Sequence, residues 1–183
     1  LNRDNYPSAS EDAMDKYPKG TLYLEPLMKF IDHMPNSGDV ELALLKSHLL
    51  IEEVLTHILL KKAQNPQHLK KTQISFSSKA TLARCFSDLD GSPWIWTALK
   101  KLNSARNSLA HDLDRNDFAD KLEDFVSYVE TTQGKIDPSL VSEKLSSFHY
   151  SVCNLYSALS AYAHFDPAGM GVLTILGLGK KNP

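Results

Sequence analysis

The chain has 183 residues, 42% of them hydrophobic and 23% charged, with a formal net charge of −2, values that suit one ordinary globular domain with a real core and argue against a nonspecific nucleic-acid binder. Two cysteines, Cys85 and Cys153, are too few for a disulfide framework and stand at no metal-ligand spacing, so no structural metal is expected. No apolar run approaches the ~18 residues that span a bilayer and no charged-then-apolar leader opens the chain, so the expectation is a cytoplasmic protein with no membrane partner.

In chain order, residues 1–20 are polar, with prolines at 7 and 18, and read as a flexible arm. The pattern predicts a first helix over 21–34, stopped near Pro35. "PNSGDV" then gives a turn with Ser37 or Asp39 as the N-cap of a long helix over 39–63. "QNPQHLKK" reads as a loop, and Ser77 or Ser78 is placed to cap a shorter helix over 77–88. After the turn "DGSP", a helix runs from Pro93 to about 112, with proline acceptable in its first turn. Asp117 or a polar neighbour starts another helix to about 131, and Ser139 begins a last one reaching His164. The glycine-rich apolar tail 166–183 contains the one strand-like run, "GVLTILGL", and docking, on the bundle or on a neighbouring subunit, is favoured over disorder for it. The fold class expected is all-α: an antiparallel bundle of five to six helices over residues 21–165.

Charge is unevenly spread. Residues 61–106 carry nine basic side chains against two acidic, a balance of +7, whereas residues 111–130 carry seven acidic against two basic. A basic zone of this kind is the footprint a phosphate-bearing ligand uses, with Lys70, Lys71, Lys100 and Lys101 as candidate RNA contacts. The plain alternative is a solvated lysine face.

Two helices place polar residues where an apolar seam should run. In and just before "KLNSARNSLAHDL" (101–113) the leucines 99, 102, 109 and 113 form one stripe, and the position that continues it is Arg106. In the long helix, His48 and Glu52 interrupt the seam of Leu44, Leu45, Ile51, Leu55, Ile58 and Leu59, and their i,i+4 spacing stacks them on one side. A charge in a core costs several kcal/mol unless paired, so Arg106 is expected to meet Glu52 or Glu53. A register-fixing ion pair would account for those two residues. It leaves Asn103, Asn107 and His111, a ridge at successive i,i+4 steps beside the arginine, without a role.

That set suits phosphodiester chemistry. A histidine titrating near neutral pH moves a proton, and a guanidinium holds phosphate and stabilises charge growing in the transition state. The carboxylates Asp112, Asp114 and Asp117 look like solvated loop charges, no metal or other cofactor is implied, and no nucleophilic triad or phosphate-cradling loop is present.

"RNSLAH" (106–111) resembles the signature of the HEPN superfamily, the helical domains named for higher eukaryotes and prokaryotes nucleotide-binding: an arginine, a polar residue directly after it, and a histidine four intervening residues on. "SHLLIEEVL" (47–55) and residues 75–113 are similar to segments of the bacterial branch that includes mannitol-operon-repressor-like proteins, so the likeness covers about residues 39–130. The resemblance implies a bundle that pairs as a homodimer with its motifs meeting across a cleft. It also implies a metal-independent ribonuclease of toxin–antitoxin or phage-defence systems, with an antitoxin or regulatory protein as a further partner. His111 would be the general acid/base, Arg106 would bind and stabilise the phosphate and Asn107 would orient the histidine or the substrate; His48, Glu52 and Asn103 are supporting residues from the seam argument. Some relatives carry a tyrosine two residues after the histidine, which a partner enzyme modifies; here that position is Leu113. Mannitol-repressor-like relatives are regulators, so the alternative function is a noncatalytic module acting through protein or nucleotide binding.

Overall fold

A computed structural model describes residue 30 and residues 32–35, 38–87, 92–111, 115–135 and 146–164. The expectations for the arm 1–20, for most of the first helix and for the tail 166–183 fall outside these residues, although Phe30, Asp32 and His33 are helical. Six helices follow: α1 (Val40–Lys62), α2 (Pro66–Leu69), α3 (Phe76–Cys85), α4 (Trp94–His111), α5 (Arg115–Gln133) and α6 (Ser147–His164). No strand occurs among the described residues, and the fold is the all-α bundle that the periodicity predicts.

Local chemistry sets the boundaries. The Asp39 side chain accepts from the Leu42 N–H at 3.0 Å and starts α1. Ser75, rather than Ser77 or Ser78, caps α3 by accepting from the Ser78 N–H at 3.2 Å. This places Phe76 in the first turn, where its ring is buried. The loop expected at "QNPQHLKK" contains α2, a single turn entered through Pro66, whose missing N–H costs nothing at that position. Helix α5 begins at Arg115, two residues before Asp117. The last helix starts at Ser147 rather than Ser139: Ser146 is non-helical and its hydroxyl accepts from the His149 N–H at 3.3 Å.

Helices α4 and α5, joined across residues 112–114, pack along each other antiparallel, because Ser108 meets Asp117 and Lys101 meets Asp124. Helices α1 and α6 run parallel. Their N-terminal ends are tied by His149 Nε2 to the Pro35 carbonyl at 2.9 Å, and their C-terminal ends by Lys61 Nζ donating to the Ala163 carbonyl at 3.4 Å. The core lies between these pairs and holds Leu44, Ile51, Leu55, Leu99, Leu102, Phe125 and Leu155, all fully buried. Helix α1 is apolar on more than one side: Leu42, Leu45 and Leu49 are 39%, 41% and 65% exposed, so Leu45 lies outside the seam in which its spacing had placed it. No helix among the described residues is long and apolar enough to cross a membrane.

Candidate functional site

Three helices bring the polar residues together. Helix α1 contributes His48 and Glu52, α3 contributes Phe76 and Lys79, and α4 contributes Asn103, Arg106 and Asn107. His48 is 6% exposed, and its Nε2 hydrogen-bonds to Asn103 Oδ1 at 3.1 Å. Its Nδ1 faces Glu52 Oε2 at 4.0 Å. The ring stacks on Phe76, centroids 4.0 Å apart and planes 27° apart. Burial pushes the His48 pKa below the ordinary histidine value; the Asn103 hydrogen bond and the Glu52 charge oppose that shift, and the Arg106 charge adds to it. His48 is thus neutral at physiological pH.

The ion pair expected between Arg106 and Glu52 is not formed. Glu52 is taken by Lys79, whose Nζ donates to Oε1 at 2.8 Å. Lys79 is 27 residues away on α3, and only the packing of two helices joins it to Glu52. Nor does Arg106 occupy the α4 seam. Ala98, Leu99, Leu102 and Ala105 are fully buried, whereas Arg106 is half-buried at the flank of that stripe. Its guanidinium Nη1 donates to Asn107 Oδ1 at 3.3 Å, and no carboxylate among the described residues pairs with it. Arg106 also lies near enough to His48 for its charge to be felt there.

His111 is the last residue of α4, and its side chain lies outside the described residues. Helix geometry sets its Cα about 7.5 Å along the axis from that of Arg106 and about 140° around it. The end of α4 is held by contacts absent from the expected set. Ser108, 6% exposed, donates to Asp117 Oδ2, and Lys121 Nζ binds the same carboxylate at 2.6 and 2.8 Å. Asp117 is therefore a bracing residue of α5 rather than a solvated loop charge. The Lys121 and Ser108 hydrogen bonds hold its carboxyl below the usual carboxylate range. The i,i+4 spacing of Asp117 and Lys121 is legible in the sequence; the reach back to Ser108 is not.

The four lysines proposed as RNA contacts divide. Lys70 and Lys71 are exposed just after α2, and Lys100 is exposed on α4. Lys101 faces α5 instead: its Nζ lies 2.6 Å from both Asp124 oxygens and 5.5 Å from the Tyr128 ring centroid.

Beside the polar cluster, a groove of about 340 Å³ opens between α3 and α4. Phe76, Ser77, Ala80, Thr81 and Arg84 line one side; Trp96, Leu99, Lys100 and Asn103 line the other. Phe76 and Asn103 belong to both features, so the groove adjoins the cluster. No group of three or more His, Cys, Asp and Glu that could hold a metal ion occurs among the described residues. Cys85 is exposed, and burial pushes the Cys153 thiol above its ordinary pKa, away from nucleophilic character. Comparison with protein-family models, with curated proteins and with solved structures returns no match.

Proposed function

We propose that this chain is a metal-independent endoribonuclease of the HEPN type, acting in the cytoplasm in a toxin–antitoxin or phage-defence setting. The observation that carries the reading is the state of Arg106: a half-buried guanidinium with no carboxylate partner among the described residues, on the helix that ends in His111. A cation that served only to fix helix register would need an opposite charge, and Glu52, one of the two carboxylates expected for it, is bound to Lys79. A phosphate supplies the missing charge, and guanidinium binds it bidentately.

In this reading a base removes the proton from a ribose 2′-hydroxyl, and the resulting oxyanion attacks the adjacent phosphorus. The bond to the 5′-oxygen breaks, that oxygen takes up a proton, and a 2′,3′-cyclic phosphate remains. His111 serves the proton transfers, Arg106 stabilises the phosphorane-like charge, and Asn107, bonded to Arg106, orients it. Two copies of the chain pair with their motifs facing one cleft. An antitoxin or other regulatory protein restrains the activity.

A second reading, a noncatalytic regulatory module, draws on the His48–Asn103 and Glu52–Lys79 pairs, which satisfy one another without a ligand. Incubating the purified protein with single-stranded RNA in excess EDTA separates the two. The ribonuclease reading expects cyclic-phosphate ends from wild type and a loss of about 10²-fold or more in His111→Ala. If both cut equally, or neither cuts, the reading fails, and the regulatory module takes its place.

A further inference from the structure

We infer that the outer face of α1 is a docking strip for the chain's own C-terminal segment, residues 170–181, laid antiparallel along the helix. The inference stands apart from the ribonuclease reading and does not depend on it. Leu42, Leu45 and Leu49 are 39%, 41% and 65% exposed, and their steps of three and four keep them on one line along α1. The same line continues through Glu53 and Thr56 to the half-buried Leu60, two residues before the end of the helix. A single leucine on a surface is ordinary. Three aligned on one helix face form an apolar strip turned to water, which favours a further element that covers it.

Reach, order of polarity and charge select the occupant. Lys61 Nζ and the Ala163 carbonyl tie the C-terminal ends of α1 and α6 together, so the chain leaves α6 at His164 beside the end of α1 that carries Leu60. From there back to Leu42 is about 28 Å along the helix at ~1.5 Å per residue. Residues 165–178, extended, span up to about 46 Å at ~3.3 Å per residue, so the segment covers the strip with length to spare. Its polarity runs in the same order as the strip. The apolar run "GVLTILGL" (171–178) comes level with the leucines, and Lys180 and Lys181 follow it, where α1 begins with the exposed carboxylates of Asp39 and Glu41. Glu41 is in no ion pair with a described residue. A second copy is the weaker occupant, because three partly exposed leucines fall well short of the ~800 Å² per partner that a standard interface buries.

The test is photo-cross-linking of the full chain carrying p-benzoylphenylalanine at the position of Leu49, which is exposed enough to take it without unfolding. Irradiation is expected to join that position to peptides from 170–181 of the same chain, in a product that keeps the mass of one chain on a denaturing gel. The same probe at the position of Asp120, exposed on α5, should give little of this product. Glu41→Lys should lower the yield about threefold, and adding Lys180→Glu with Lys181→Glu to that variant should restore it. A yield that Glu41→Lys leaves unchanged overturns the antiparallel placement. No cross-link, equal labelling of 170–181 from both probe positions, cross-links to residues 1–29 instead, or a product of twice the chain mass overturns the docking itself.

Discussion

At Arg106 a guanidinium is held at the flank of a packed helix, with an asparagine side chain as its hydrogen-bond partner and no carboxylate among the described residues. Half-buried, it contributes little to folding. Arg106→Ala is expected to leave stability within about 0.5 kcal/mol of wild type in denaturant melts while RNA cleavage falls by about 10²-fold or more. Arg106→Lys keeps the charge but lacks the fork, and should restore little. A large loss of stability in Arg106→Ala would instead make the residue a structural one. His48 shows the opposite balance. Its pKa is lowered in the fold, chiefly by burial, so below about pH 6.5 the unfolded chain binds a proton that the folded chain resists. Stability from this group is therefore fully present above the unfolded value and is lost as pH falls toward the folded one. Burial also lowers His57, which adds a slope of the same sign, so the measurement is a difference. Urea midpoints from pH 7.5 down to 5 should fall more steeply for wild type than for His48→Gln, whose side-chain N–H can still reach Asn103. Parallel profiles would contradict the assignment.

Among the elements, α4 carries the site and α5 braces it. Ser108→Ala removes the hydroxyl that joins the two at Asp117 and should cost about 1 kcal/mol, with faster amide exchange in the last turn of α4. Helix α1 makes a sharp contrast on one element. Leu55, fully buried, should cost about 2–5 kcal/mol when cut to alanine, whereas Leu49, 65% exposed, should cost under about 0.5. Equal effects at the two would refute the assigned burial. The helices themselves are legible in the sequence, because apolar spacing over eighteen or more residues is a strong signal. The short features are less so. A four-residue turn such as α2 has no period to detect, and the cap of α3 depends on which of three nearby serines lets Phe76 face inward. The α4 seam was misplaced by one residue for a similar reason. Small Ala105 fills the core position, and leucine spacing alone points past it to Arg106.

For the whole molecule, the site is a product of packing three helices, and this is where sequence reading reaches its limit. His48 and Asn103 are 55 residues apart and Glu52 and Lys79 are 27 apart, and no local rule selects either pair. The residue types were legible as misplaced polar groups; their partners were decided by the relative placement of α1, α3 and α4. Asn103, offered by the sequence only as one step of a ridge, shares with Phe76 the place where the polar cluster meets the groove. Paired copies are the assembly proposed, and sedimentation should give twice the mass of one chain. The most direct measurement is RNA cleavage in excess EDTA by wild type and His111→Ala, read by the appearance of 2′,3′-cyclic phosphate ends. Cyclic ends from wild type and almost none from the variant are predicted; equal cutting by the two, or no cutting by either, would contradict the ribonuclease account.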